Sequence, residues 1–348
     1  MPPQRFLVLL THSSRPVDFL QCGELEIRTR YGNPRRLETL PPLQSLAGLE
    51  SQRHYAGGLS LLDLELTSRG AKLHRRRYLE PGYKVQHATL VDGQLVLCFE
   101  DALMVMGEPF ASFPTAKRDD LADRLIVDPW FAGLHTAFQS GPGQCVVSAS
   151  APDAIMIVDL RKKMVTRRQR LPEALYGRNY DLSPIDSLQD HYIHNDLQLA
   201  HLNCAWPVAD GSIYVSTLIQ GDIGKIRIDG SYQLIRRGHV GCHAARLTKD
   251  GRTLYFADSC KGRIVLCDPE GEERSVYQTA SRWLHDVQHV TGDLYLLCVA
   301  DSNTVMLVDA ANGSTLIEEK FDKQGMSVQF LSVHPWNGWA IRSESGKS

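Results

Sequence analysis

Apolar and polar residues alternate along most of this chain in short runs, and the runs end at Gly, Asp or Asn. That pattern predicts half-buried β-strands joined by tight turns, with little helix. Five segments repeat one phrase, and each opens with a histidine: His87-ATLVDGQLVLC, His135-TAFQSGPGQCVVSAS, His201-LNCAWPVADGSIYVST, His243-AARLTKDGRTLYFADS and His285-DVQHVTGDLYLLCVADS. Each histidine stands six to nine residues before a Gly/Asp turn, and an apolar alternating strand comes after the turn. A third strand comes next in several copies, as in DAIMIVD, GRIVLCD and NTVMLVD.

Self-similarity at about 40 to 50 residues with strand-turn-strand content predicts an all-β fold, a single β-propeller of four-stranded blades around a channel. Inner strands near residues 47, 87, 135, 201, 243, 285 and 330 favour seven blades, with six as the alternative because 40–80 is irregular. Strands from the N-terminus, such as Phe6 to Leu10, are expected to complete the last blade with C-terminal Met326 to Val333 and close the ring. The 348 residues are then one domain, 1–348. The histidine spacings are 48, 66, 42 and 42 residues, and the long interval contains Leu171 to Leu197, rich in Tyr, Asp, His and Arg. This insertion, 171–197, is expected to form a lid over one mouth of the channel.

Equivalent positions in radial blades converge on the axis, so His87, His135, His201, His243 and His285 are candidate ligands of one divalent transition metal, Fe, Mn, Zn, Cu or Ni. Strand parity puts Asn203 beside His201, and His289 on the row of His285 with Asp286 and Gln288 opposite, which makes Asn203 and His289 supporting partners. Arg178, Tyr180, His191 and His194 of the insertion are the candidate acid/base and substrate-orienting groups. The competing reading of the histidines is a structural hydrogen-bond ladder, one imidazole per blade. Asp258 and Asp301, at the ends of second strands, are expected to tie turns together through the backbone.

Composition narrows the partners. Net charge −2 gives no basic field, so nucleic acid is not expected; the run Arg75 to Arg77 reads as protection of an edge strand. The N-terminal apolar run is too short for a signal peptide or membrane span, and cytoplasmic localisation without membrane contact is expected. Eight cysteines without a C-x-x-C pair read as buried free thiols. No P-loop, dinucleotide fingerprint, G-x-S-x-G or H-E-x-x-H is present, so no nucleotide cofactor is indicated.

Ala200-His-Leu-Asn-Cys-Ala, GSIYVSTL and GCHAARLTKDGRTLYFADS resemble an uncharacterised bacterial β-propeller family marked by C-H-L-N-G and P-H-S-P-R segments. On that likeness His201 and Asn203 match the first motif, His243 and Arg246 the second, and His135 a third family histidine. The chain departs from the pattern at Cys204 and at Ala244-Ala245. A more distant resemblance is to the gluconolactonase and strictosidine-synthase group. It implies that His243 and His285 stand where gluconolactonases place Asn and Asp ligands of a Ca-type metal, a change toward softer ligands. The all-histidine arrangement is also similar to that of carotenoid-cleaving oxygenases, by analogy of ligands alone. The expected function is a metal-dependent lyase, hydrolase or isomerase acting on a small polar metabolite, or an oxygenase if the metal is iron or copper. The alternative is a non-catalytic binding propeller for a protein or glycan.

Overall fold

The repeating phrase folds first as a hairpin. His87–Val91 turns back through Asp92-Gly93 into Gln94–Cys98, with Val91 opposite Gln94. Both turn residues have positive φ, 47° and 83°, the requirement of a two-residue type I′ turn whose twist matches the strands. The computed structural model describes residues 3–13, 44–45, 57–80, 84–107, 124–176, 191–192, 199–239, 241–321 and 326–336.

Within these residues the hairpins build six four-stranded antiparallel blades. Counted from the inside outward, blade 1 is His87–Val91, Gln94–Cys98, Leu103–Met106 and Leu125–Ile126. Blade 2 is Leu134–Gly141, Gln144–Ala149, Ala154–Asp159 and Met164–Arg170. Blade 3 is Leu202–Pro207, Ile213–Thr217, Ile223–Ile226 and Tyr232–Arg236. Blade 4 is His243–Leu247, Leu254–Asp258, Arg263–Cys267 and Glu273–Gln278. Blade 5 is Leu284–Thr291, Leu294–Val299, Thr304–Asp309 and Ser314–Lys320. Blade 6 takes its inner strand from the C-terminal Ser327–Pro335 and its outer three from Gln4–Ser13, Gly57–Thr67 and Gly70–Leu79.

Successive inner strands touch all the way round, and the last, Ser327–Pro335, meets the first, His87–Val91. Six apolar clusters fill the spaces between neighbouring blades. Leu7, Leu59 and Leu61 pack on Leu95 and Leu97, for example, and Val8 and Leu62 pack on Leu296 and Val305. Inner and second strands are buried, whereas fourth strands such as Met164–Arg170 are largely exposed. Closure by both termini is as the sequence predicts, and the fold is the propeller with the smaller of the two expected blade counts. The strand expected near residue 47 accounts for the difference. Gln44–Ser45 pairs with His191–Tyr192 in a two-stranded ladder outside the blades.

Gln4–Ser13 ends, and Gly57–Thr67 begins, beside the start of Ser327–Pro335. The connection containing Gln44–Ser45 therefore leaves from the same end of the ring at which the histidines begin their strands. Among the described residues no helix is long and apolar enough to cross a membrane. Cys98, Cys145, Cys204, Cys242, Cys267 and Cys298 are buried free thiols, and Cys260 is partly exposed.

Candidate functional site at the histidine end of the channel

Four of the five inner strands that carry a histidine are irregular beside it. Leu202 and Cys204 face Thr217 and Ser216, Leu284 and Asp286 face Val299 and Cys298, and three steps from His243 to Arg246 match two on the partner strand. Leu134 is likewise paired across a register shift. Ala244, φ 59°, takes the left-handed conformation within its bulge, and His201, φ 54°, takes it two residues before the extra residue Asn203. Only His87 sits in an unbroken ladder. A bulge re-aims the side chain at the irregularity and reverses the parity of the residues beyond it.

Four of the five imidazoles surround a phenylalanine, and the fifth, His201, is bonded to one of them. Phe330, on the inner strand of blade 6, has ring centroids of His285, His87, His135 and His243 at 4.6, 6.1, 6.1 and 6.4 Å. Around it two pairs form. His135 Nε2 and His201 Nε2 are hydrogen-bonded at 2.8 Å, so one of the two nitrogens donates and the other accepts. The rings of His243 and His285 lie 4.6 Å apart. His285 Nδ1 donates to the Gln329 carbonyl at 2.7 Å, and His243 Nδ1 lies 2.9 Å from both the Gly241 carbonyl and Ser259 Oγ. A carbonyl only accepts, so in both rings Nδ1 donates, and in the neutral imidazole Nε2 then carries the lone pair.

His87 has the opposite tautomer. Its Nδ1 accepts from the Ala137 N–H at 3.4 Å, which puts the proton on Nε2, and that atom has no hydrogen-bond partner among the described residues. Burial holds the His87 pKa well below the usual histidine value, with Arg246 adding to the effect. Trp283 Nε1 and Gln329 Oε1 are likewise buried without partners among the described residues; Trp283 lies 5.8 Å from the His243 ring. Unpaired buried polar atoms of this kind call for water or a polar ligand.

A second layer lies deeper, where Phe138, Trp206, Arg246 and Asp286 from four inner strands meet. Arg246 Nη2 pairs with Asp286 Oδ1 at 2.9 Å, Arg246 Nη1 donates to the Val287 carbonyl and Gln288 Oε1, each at 2.7 Å, and its guanidinium lies 4.9 Å over Phe138. Burial pushes the Asp286 carboxyl up, and Arg246 and the Leu331 N–H oppose that by holding its charge.

The parity expectations therefore need correction. Because His285 is the extra residue of a bulge, Asp286 and Gln288 face the channel, and His289 packs outward against Tyr255 and Tyr295 with Nε2 donating to the Gly292 carbonyl at 2.9 Å. His289 does not support His285. Asn203 supports the neighbouring blade: its Nδ2 donates to the Cys242 carbonyl at 2.7 Å, one residue before His243, and its Oδ1 accepts from Ser216. Asp301 ties a turn through the Arg282 and Ser302 N–H groups as expected, whereas Asp258 binds side chains, His239 Nδ1 at 3.2 Å and Arg263. Arg178, Tyr180 and His194 lie outside the described residues, and of His191 only the backbone is described, opposite Ser45. Phe330 and Asp153 carry no signal in the histidine repeat and are legible only as an apolar strand residue and a turn residue.

Among the described residues no group of three or more His, Cys, Asp or Glu is arranged to hold a metal ion. Two features of the layer explain why. The Phe330 ring fills the middle, and the Nε2 atoms of His135 and His201 face each other rather than a common point. The side chains as placed do not fit a single five-imidazole centre.

No protein-family model and no curated protein matches the chain. Solved structures do. A selenomethionine-substituted virginiamycin B lyase from Staphylococcus aureus is similar at 11% identity over 77% of this chain and 82% of the lyase, with a TM-score of 0.50. The catalytically inactive histidine-to-alanine variant of that lyase with quinupristin matches at 10% identity over the same shares, with a TM-score of 0.51. A chain of a nidogen/laminin complex matches at 12% identity over 79% of this chain and 95% of its own length, with a TM-score of 0.56. At such identity the likeness is one of fold, and the fold is a six-bladed β-propeller.

Proposed function

We propose that this propeller is an enzyme whose histidine layer performs acid–base chemistry of the lyase type on a small polar metabolite. The observation that carries the reading is the fixed tautomer of His243 and His285, whose Nδ1–H groups are held by backbone carbonyls so that each Nε2 is a base. A base of this kind takes a proton from carbon or oxygen. The His135–His201 pair, which shares one proton between two Nε2 atoms, supplies the proton a leaving group needs. His135 and His201 keep 8% and 7% of their surface exposed against 0% for His87, so substrate reaches that pair first. His87 Nε2–H and Trp283 Nε1–H, unpaired among the described residues, are donors suited to an oxygen of the ligand. The similar lyase, in which a histidine-to-alanine change accompanies loss of catalysis, is consistent with histidine chemistry on a propeller.

No step is routed through a transition metal, because the donor set does not converge. The binding-module reading draws on the Phe330 plug, which closes the axis. One experiment separates the two. Wild type and a His243→Gln/His285→Gln variant are incubated with a pool of small polar metabolites and monitored by mass spectrometry. We expect a compound consumed by the wild type and at least about a hundredfold slower by the variant. Consumption at equal rates by both, or by neither with and without added Fe, Mn, Zn, Cu or Ni, overturns the enzyme reading.

A further inference from the structure

The connection from blade 3 to blade 4 runs past His239 and Gly241 to His243, and its backbone is tied to blade 3. The His239 and Gly241 N–H groups donate to the Gly221 and Leu218 carbonyls at 2.9 and 2.7 Å. Ser259 belongs instead to blade 4, where it follows Asp258, the last residue of the second strand. His243 Nδ1 meets one group from each side, the Gly241 carbonyl and Ser259 Oγ, both at 2.9 Å. Its proton is therefore held at a junction between two blades.

A side-chain contact spans that junction, from two residues before Gly241 to one residue before Ser259. His239 Nδ1 lies 3.2 Å from Asp258 Oδ2, and both residues are buried. Each partner is fixed from its far side. Arg263 donates to the same carboxylate oxygen through Nε and Nη2 at 2.9 and 2.8 Å. Arg236, the last strand residue of blade 3, donates from Nε to His239 Nε2 at 3.2 Å and is itself held by the Gly271 carbonyl and Glu273. A guanidinium only donates, so His239 Nε2 accepts and the ring proton is on Nδ1, where Asp258 receives it. With its lone pair taken by Arg236, His239 is no base for a substrate, and it acts through its neighbours.

We propose that His239 and Asp258 are a positioning pair for His243, clamping the two blades so that the Gly241 carbonyl and Ser259 Oγ together keep the His243 proton on Nδ1. The hydrogen bond at one ring nitrogen decides what the other nitrogen presents. If the clamp opens, Nδ1–H loses one of its two acceptors and the Nε2–H tautomer gains. The consequence for chemistry rests on the acid–base reading, which needs a lone pair on Nε2; the clamp itself does not.

The test is long-range ¹⁵N–¹H NMR of the histidine-labelled full chain at neutral pH, for wild type, His239→Leu and His239→Asn. Asn keeps an N–H donor near the Nδ1 position, whereas Leu removes it. We expect wild-type His239 to be the Nδ1–H tautomer. We expect the Nε2–H fraction of His243 to rise at least about threefold in His239→Leu, less in His239→Asn, and not at all at His285. A contact that only stabilised the ring would lower the melting temperature without moving the His243 tautomer. An unchanged His243 tautomer in His239→Leu, equal shifts at His243 and His285, or equal shifts in the two variants overturns the proposal. Nε2–H at wild-type His239 overturns it too, even if His239→Leu does not fold. Turnover is not read, so a failure of the enzyme reading leaves each of these outcomes distinct.

Discussion

Asp153 carries the approach to His201. It sits in the turn between the second and third strands of blade 2 with φ 47°, and its carboxylate accepts the N–H groups of Leu199, Ala200 and Leu202 at 3.2, 3.0 and 3.1 Å. Asn303 holds the same turn in blade 5 with φ 56°, but its Oδ1 accepts from Val328 N–H while its Nδ2 donates to the Phe321 and Met326 carbonyls. A carboxylate serves three donors, whereas an amide serves donors and acceptors together, so the partner sets select the residue. Asp153→Asn turns an amide N–H toward N–H groups, and we expect a loss of about 1 to 3 kcal/mol at pH 8, where the group is ionised, with faster hydrogen exchange at Leu199, Ala200 and Leu202. Burial pushes the Asp153 carboxyl up to about 7 against the pull of its backbone donors. The folded state therefore binds more protons than the unfolded one between about pH 4 and 7, and stability from this group falls as pH rises through that window. The deficit of the variant should accordingly narrow toward neutral pH. A deficit that widens, or unchanged exchange, would refute the latch.

At the scale of the element, the hairpin unit is legible in the sequence and its bulges are not. The turn residues and the alternation of segments such as HATLVDGQLVLC specify strands, turn and register, because a one-residue slip would expose the apolar face. The extra residue at Asn203, Ala244 and His285 leaves no mark in the hydrophobic pattern, since it lies near a strand end where the alternation has just begun. Parity counted through it reverses, which puts His289 inward and Asp286 outward on paper and the opposite way in the fold. The turn supporting His243 shows how tightly these ends are built. Ser259 contacts His243 Nδ1, and the turn Ser259–Lys261 closes at Gly262, φ 59°, where a Cβ would collide with the Ser281 carbonyl. Gly262→Ala combines that collision with a left-handed backbone, and we expect it to destabilise by about 2 to 4 kcal/mol in urea unfolding. A loss below about 0.5 kcal/mol would show that the turn yields freely.

The whole molecule is a ring in which each blade buries its faces on two neighbours, so the six apolar clusters depend on closure. Closure by strands from both termini is readable because apolar strands lacking a histidine at the repeat position stand at each end of the repeat. The blade count is less so, since the irregular segment before Gly57 contributes a two-residue ladder rather than a blade. Radial symmetry places the histidines at one end of the channel. It does not reveal the occupant of the axis, because Phe330 lies on an inner strand that breaks the histidine rule. The layer is therefore two imidazole pairs about an aromatic plug, and its use as an acid–base site depends on which ring nitrogens carry protons. Long-range ¹⁵N–¹H NMR of histidine-labelled protein at neutral pH reads this directly. The account predicts Nδ1–H tautomers for His243 and His285, Nε2–H for His87, and a nitrogen–nitrogen coupling across the His135–His201 hydrogen bond. Nε2–H tautomers at His243 and His285 would leave no base facing the channel and contradict it.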